Sequence, residues 1–177
     1  MSKKLFFDTD CISAFLWVNN QSILSLLYPQ GIVIPDSVYA ELSNPCVRHL
    51  KDKIDILIAN KKVVIEEMYV DSPSYNTFIE LSSPSRKAKA IGKGEAAVIA
   101  LAKECDGIVA SNNLRDIKDY VIKYNLTHIT TGDILVEALK QNIISEKDGN
   151  TIWKNMLEKR RKLGAASFTE YLMKISH

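Results

Sequence analysis

The stretch KKLFFDTDCIS, residues 3–13, runs from two lysines through an apolar triplet straight into two carboxylates flanking a hydroxyl. The run KLFF (4–7) reads as a short buried strand, and Asp8, Thr9 and Asp10 follow it with no intervening loop. If that strand is internal to a sheet, its exit places acid at the carboxyl edge, where α/β proteins hold ligands. The same acids could simply cap a helix starting near Cys11. Acid found elsewhere in the chain decides between these readings.

Working outward, four further short runs read as strands: GIVI (31–34), KVVIEE (62–67), GIVAS (107–111) and THITT (127–131). Between them lie segments of helical period: CISAFLWV, SILSLLY, DSVYAELS, VRHLKDKIDILIAN, GEAAVIALAKE and LRDIKDYVIKY. Strands alternating with helices predict βαβ units and a mainly parallel sheet of four to five strands. Pro35 is expected in the first turn of the helix that follows GIVI. Ser and Pro bracket a further short helix in VDSPSYNTFIELSSP. The segment SSPSRKAKAIGKG (82–94) reads as a basic loop delivering the chain into a helix near Glu95. From residue 132 the pattern is helical to the end, interrupted by Gly164-Ala165-Ala166. The expectation is one domain over residues 1–177, an α/β core (1–131) carrying a helical C-terminal extension (132–177).

The chain's 177 residues suffice for one domain with a proper core. A net charge of +2 supplies no overall field directed at nucleic acid or membrane, so any such binding must come from local charge. Cys11, Cys46 and Cys105 are odd in number and widely spaced, which disfavours zinc and a disulfide framework. The opening residues lack the apolar run of a signal peptide, and no stretch reaches the ~18 apolar residues of a membrane span. A cytoplasmic protein without membrane contact is expected.

Four carboxylates fall where a strand ends or just after the helix that follows: Asp8, Glu41, Glu95 and Asp116. In a parallel sheet all four can converge on one edge. Close carboxylates repel, so such a cluster needs a shared proton or a bound cation. Oxygen ligands without His or Cys favour Mg²⁺ or Mn²⁺ over zinc. A cation so held can activate water against phosphorus and stabilise the leaving oxygen, the chemistry of phosphodiester hydrolysis. Each acid also has an ordinary explanation. Asp8 can be a cap, Glu41 a solvated helix residue, and Glu95 and Asp116 first-turn acids favoured by the helix dipole. The case rests on their joint placement. His49, His128 and His177 are scattered and are assigned no catalysis.

The motifs resemble those of the PIN-domain family over most of the chain. FFDTDCIS is similar to the family's opening strand and DTN- or DTS-like turn, and VIPDSVYAEL to its second motif. GKGEAAVIALA resembles the third, and GIVASNNLRDI the fourth strand and its polar exit. The resemblance implies an α/β/α sandwich and a Mg²⁺- or Mn²⁺-dependent endoribonuclease, with Asp8, Glu41, Glu95 and Asp116 as the metal-binding and catalytic acids. Thr9 would orient Asp8 or a water, with Asp10 in a supporting role. Relatives with TDD after the fourth strand carry acid where this chain has Asn112 and Asn113, which leaves Asp116 to complete the set. The tail, ending KRRKLGAASFTEYLMKI, resembles that of bacterial toxin-like members. That resemblance implies the toxin of a toxin–antitoxin pair, with a small antitoxin as partner and a homodimer.

RNA cleavage needs phosphate contacts near the acids. Arg86, Lys87, Lys89, Lys93 and Arg115 are the candidates, positioning the backbone without reading bases. The run Lys159-Arg160-Arg161-Lys162 ends a helix, where the dipole alone favours cations. The apolar side chains Phe15, Leu16, Trp17 and Leu24 are expected in the core, the alternative being a dimer surface. Two other functions compete: a PIN-like nucleic-acid or protein binding module with a degraded site, consistent with SNN, and a receiver-like phosphotransfer domain. The latter is disfavoured by the absence of a Gly-rich phosphate loop.

Overall fold

A computed structural model describes residues 3–83 and 90–176. Five strands form one sheet: β1 (Leu5–Phe7), β2 (Ile32–Pro35), β3 (Val63–Glu66), β4 (Ile108–Ala110) and β5 (Thr127–Ile129). Their order is β3-β2-β1-β4-β5, and every pairing is parallel. The first strand is thus central. Leu5, Phe6 and Phe7 are all buried, as expected for a parallel strand covered on both faces. Because the chain leaves β1 towards β2 and later returns to its other side as β4, the order reverses at the β1–β4 boundary. That boundary is the topological switch point, the usual ligand crevice of such sheets.

Helices cover the sheet. The first half supplies α1 (Thr9–Trp17), α2 (Ser22–Leu27), α3 (Asp36–Leu42), α4 (Arg48–Ala59) and α5 (Pro73–Ser82). The second half supplies α6 (Lys93–Cys105), α7 (Leu114–Lys123), α8 (Thr131–Lys140), α9 (Glu146–Glu158) and α10 (Phe168–Ile175). The result is a five-stranded parallel α/β/α sandwich. α6 is the most deeply set helix, with every residue from Ala96 to Ala102 buried. Its run of alanines allows close approach to the sheet.

The segments CISAFLWV and SILSLLY form α1 and α2, separated where Asn19 adopts a left-handed φ of 59°. One local reading changes. Pro35 closes β2 and caps α3 from an extended conformation instead of entering its first turn. Cys46 and Cys105, set in apolar sequence, are exposed, and only Cys11 is buried. Phe15, Leu16 and Leu24 are buried and Trp17 is half-buried, so these side chains belong to the core. No helix among the described residues is long and apolar enough to cross a membrane.

The last two helices dock through aromatic packing. Trp153 of α9 is fully buried, its ring centroid 5.9 Å from Phe168 and 5.2 Å from Tyr171 of α10. Its indole N–H donates to Ala165 O at 3.0 Å, satisfying the one polar group it buries. Gly149 is obligatory here, since a Cβ would stand 2.2 Å from the Phe168 ring. Trp153→Ala should therefore cost about 3–5 kcal/mol in urea unfolding, the range for a buried large aromatic.

Candidate active site

Asp8 follows the last residue of β1. Its N–H donates to Ala110 O at 3.0 Å, which extends the β1–β4 pairing by one residue and carries the side chain to the switch point. One carboxylate oxygen, Oδ1, accepts the Cys11 N–H at 2.7 Å and so caps α1. The other, Oδ2, is buried without a hydrogen-bond partner. Capping and a functional role are therefore compatible: each uses a different oxygen. Burial pushes the Asp8 carboxyl up to about 7. The Ser111 side chain and the Cys11 amide offset part of that rise, while the charges of Asp10 and Glu95 add to it.

The second acid arrives from α3. Glu41 Oε2 accepts the Thr9 hydroxyl proton, and Oε1 accepts the Gly94 N–H at 3.2 Å. Gly94 lies in the first turn of α6, and its lack of a side chain matters. A Cβ there would stand 3.2 Å from both Glu41 Oε1 and Thr9 Oγ1. The third acid, Glu95, is the next residue of α6. Its Oε2 closes back on the Gly92 N–H at 3.1 Å, a capping contact at the positive end of the helix dipole. Oε1 accepts from Asn113 Nδ2 at 2.5 Å.

Asp8, Thr9, Asp10, Glu41 and Glu95 line one cleft of about 280 Å³. Asp116 does not line it. It stands in the first turn of α7, linked to the site through Asn113, whose Nδ2 also donates to Asp116 Oδ2 at 2.8 Å. Asn112 turns the other way, pairing with Thr131 at 2.9 Å in both directions and fixing the N-terminus of α8. Lys93 and Arg115 are exposed and absent from the cleft wall, and Arg86, Lys87 and Lys89 lie outside the described residues.

Two contributors are illegible in the sequence motifs. Gly94 is one, being an unremarkable second glycine in GKG. The other is Arg161, which lines the cleft and reaches Asp10 at 3.4 Å, 151 residues away along the chain. The dipole explanation covers this residue only in part: Nε donates to the Lys159 carbonyl just past the end of α9, but Nη1 turns into the cleft towards Asp10.

No three His, Cys, Asp or Glu side chains among the described residues are gathered closely enough to hold a metal ion. Glu41 and Glu95 spend their oxygens on Thr9, Gly94, Gly92 and Asn113. In kind, however, the donors suit a hard divalent cation: all are oxygens, and Asp8 offers one that nothing else satisfies. The residues therefore fit Mg²⁺ or Mn²⁺.

The family model DUF3368, described as a PIN domain, matches residues 4–177. The chain belongs to the PIN-domain family, whose fold is that of nucleases and whose members typically use divalent metals. No curated protein matches it.

The Asp8 shift has a measurable consequence. Its folded pKa lies above the ordinary 3.8, so between about pH 4 and pH 7 the native state holds a proton that the unfolded chain releases. Metal-free protein should lose stability as pH rises through that window, by at most on the order of 4 kcal/mol. Asp8→Asn, which retains the Oδ1 acceptor, should flatten this dependence. Urea midpoints in EDTA at pH 5 and pH 8 measure it, and equal slopes in both proteins would contradict it.

Proposed function

We propose that the protein is a Mg²⁺- or Mn²⁺-dependent endoribonuclease whose cation is held by Asp8, Glu41 and Glu95, with Asp116 supporting from behind. The observation that carries this is the buried, unpartnered Asp8 Oδ2 in a cleft shared with two further acids. An uncompensated buried carboxylate oxygen is costly and is expected to have a partner in the working state. The cation would supply that partner, and with it charge stabilisation at a phosphodiester and an activated water.

The chain's own residues prepare the site. Thr9 and the Gly94 N–H hold Glu41 from two sides and fix its carboxylate plane. Asn113 does the same for Glu95 and transmits the position of Asp116 to it. Asp8, with its pKa pushed up to about 7, exchanges a proton for the cation on loading, so binding should tighten as pH rises. Asp10 is engaged by Arg161 and contributes charge to the rim. The roles as toxin, with a small antitoxin as partner, and as homodimer rest on the resemblance of the tail. Co-expression with a small protein encoded beside the gene, and its relief of growth arrest, tests them.

One observation favours the second reading, a binding module with a degraded site: no three acids among the described residues are gathered into a ready-made cage, so holding a cation requires Glu41 or Glu95 to give up a present hydrogen bond. A cleavage assay separates the two. Purified protein should cut a mixed RNA pool with Mn²⁺ and not with EDTA, and Asp8→Asn should lose about a hundredfold or more. Asp116→Asn should lose about tenfold or less, because its carboxylate acts through Asn113. Gly94→Ala should lose about tenfold by displacing Glu41. Absence of cutting together with absence of Mn²⁺ binding by calorimetry would establish the degraded module.

A further inference from the structure

The cleft that holds the acids is badly suited to a polyanion. Of the side chains lining it among the described residues, Asp8, Asp10, Glu41 and Glu95 are acidic, and Arg161 alone is basic. Arg161 comes from neither the sheet nor the family motifs but from the chain after α9. Its position is built. Arg160 takes a left-handed φ of 58°. The Arg160 N–H donates to Leu157 O at 2.8 Å and the Arg161 N–H to Met156 O at 3.0 Å. Together these form a Schellman turn, which ends a helix and reverses the chain in one fixed geometry. The helix so ended is anchored by Trp153 and Met156, both fully buried.

The guanidinium is held but not saturated. Nε donates to Lys159 O at 3.0 Å, and the carbon Cζ sits 6.0 Å from the Trp17 ring centroid. Nη1 makes two long contacts of 3.4 Å, to Asp10 Oδ1 and Ser13 Oγ. Among the described residues nothing accepts from Nη2. At 3.4 Å the pair with Asp10 is loose, and half of the guanidinium fork is left for a planar, doubly accepting anion.

We propose that Arg161 is a phosphate-binding residue of the active cleft, supplied by the C-terminal extension to hold an RNA backbone phosphate beside the acids. The inference rests on the nuclease reading for the identity of the ligand. It makes the extension part of the site: α9, its Schellman turn and the Trp17 ring exist in part to present one fork of donors to a phosphate that the cleft would otherwise repel.

The test uses the full-length chain carrying Asp8→Asn, so that nothing is cut, and a fluorescein-labelled single-stranded RNA dodecamer of mixed sequence. Affinity is read by anisotropy between 50 and 300 mM KCl. Adding Arg161→Gln should weaken binding about tenfold and reduce the slope of log K against log salt by about 0.7, the value for one phosphate contact on a single strand. Arg161→Lys should keep the slope while losing about threefold in affinity, since a lysine retains the charge but not the fork. In the chain with Asp8 intact, Arg161→Gln should place most of its loss on KM. An unchanged slope, with only a lowered urea midpoint, would overturn the inference and make Arg161 a clasp for the chain after α9. If the Asp8-containing protein cuts RNA while the slope stays fixed, this inference alone fails. If it does not cut and the slope falls, the phosphate contact stands and the nuclease reading fails. If no RNA binds at any salt, both fall.

Discussion

A carboxylate only 2% exposed, following the central strand of a parallel sheet, is the constraint around which this protein is arranged. β1 must be internal for Asp8 to lie at the switch point, and it is internal because β2 pairs with it on one side and the chain later returns to pair β4 on the other. Desolvation raises the cost of charging Asp8 so far that its carboxyl titrates near neutrality. The Ser111 hydroxyl offsets part of that cost but closes no hydrogen bond on Oδ2 among the described residues, while Oδ1 is satisfied through the α1 cap. Stability is given up at one oxygen and recovered at the other, a common signature of functional sites.

The remaining acids are brought in by helices, and helix termini set their distances. α6 begins beneath Glu41 because Gly92 and Gly94 permit its N-terminal N–H groups to face carboxylates at close range. Positive helix ends and carboxylates attract, so the α6 N-terminus offsets part of the repulsion between Glu41 and Glu95 even without an ion. The price of this arrangement is dispersion. Carboxylates drawn towards separate amides are not drawn towards one another, and no three of them form a single cage among the described residues.

Much of this was legible in the chain. Strand runs at 4–7, 31–34, 62–67, 107–111 and 127–131 correspond to β1–β5 with ends displaced by one or two residues, because apolar clusters between polar turns are the strongest local signal. The four acids could be named because each stands in a short motif at a strand exit or near a helix start. What could not be read was anything dependent on contact across the fold. Asn113 as a bridge needs the α6 and α7 termini to be side by side. Arg161 at Asp10 needs the whole extension to return to β1, and a basic run after a helix carries no trace of that in its spacing.

Asn113 also explains how a site lacking the TDD pattern remains coherent. Its amide donates to Glu95 at 2.5 Å and to Asp116 at 2.8 Å, so two carboxylates are pinned by one neutral group. An aspartate in its place would set a third negative charge against both, tolerable only with a shared proton or a permanently bound cation. In the proposed site, the asparagine would let the fold form without the ion and leave Asp8, Glu41 and Glu95 to set its affinity. Fewer charges weaken the hold on a cation, and also reduce the field that repels an incoming phosphate. With the cleft's acidity moderated on the α7 side by an amide and on the α9 side by an arginine, both sides would act in the same direction on the proposed reading: towards admitting a polyanion to a pocket whose central feature is a buried acid.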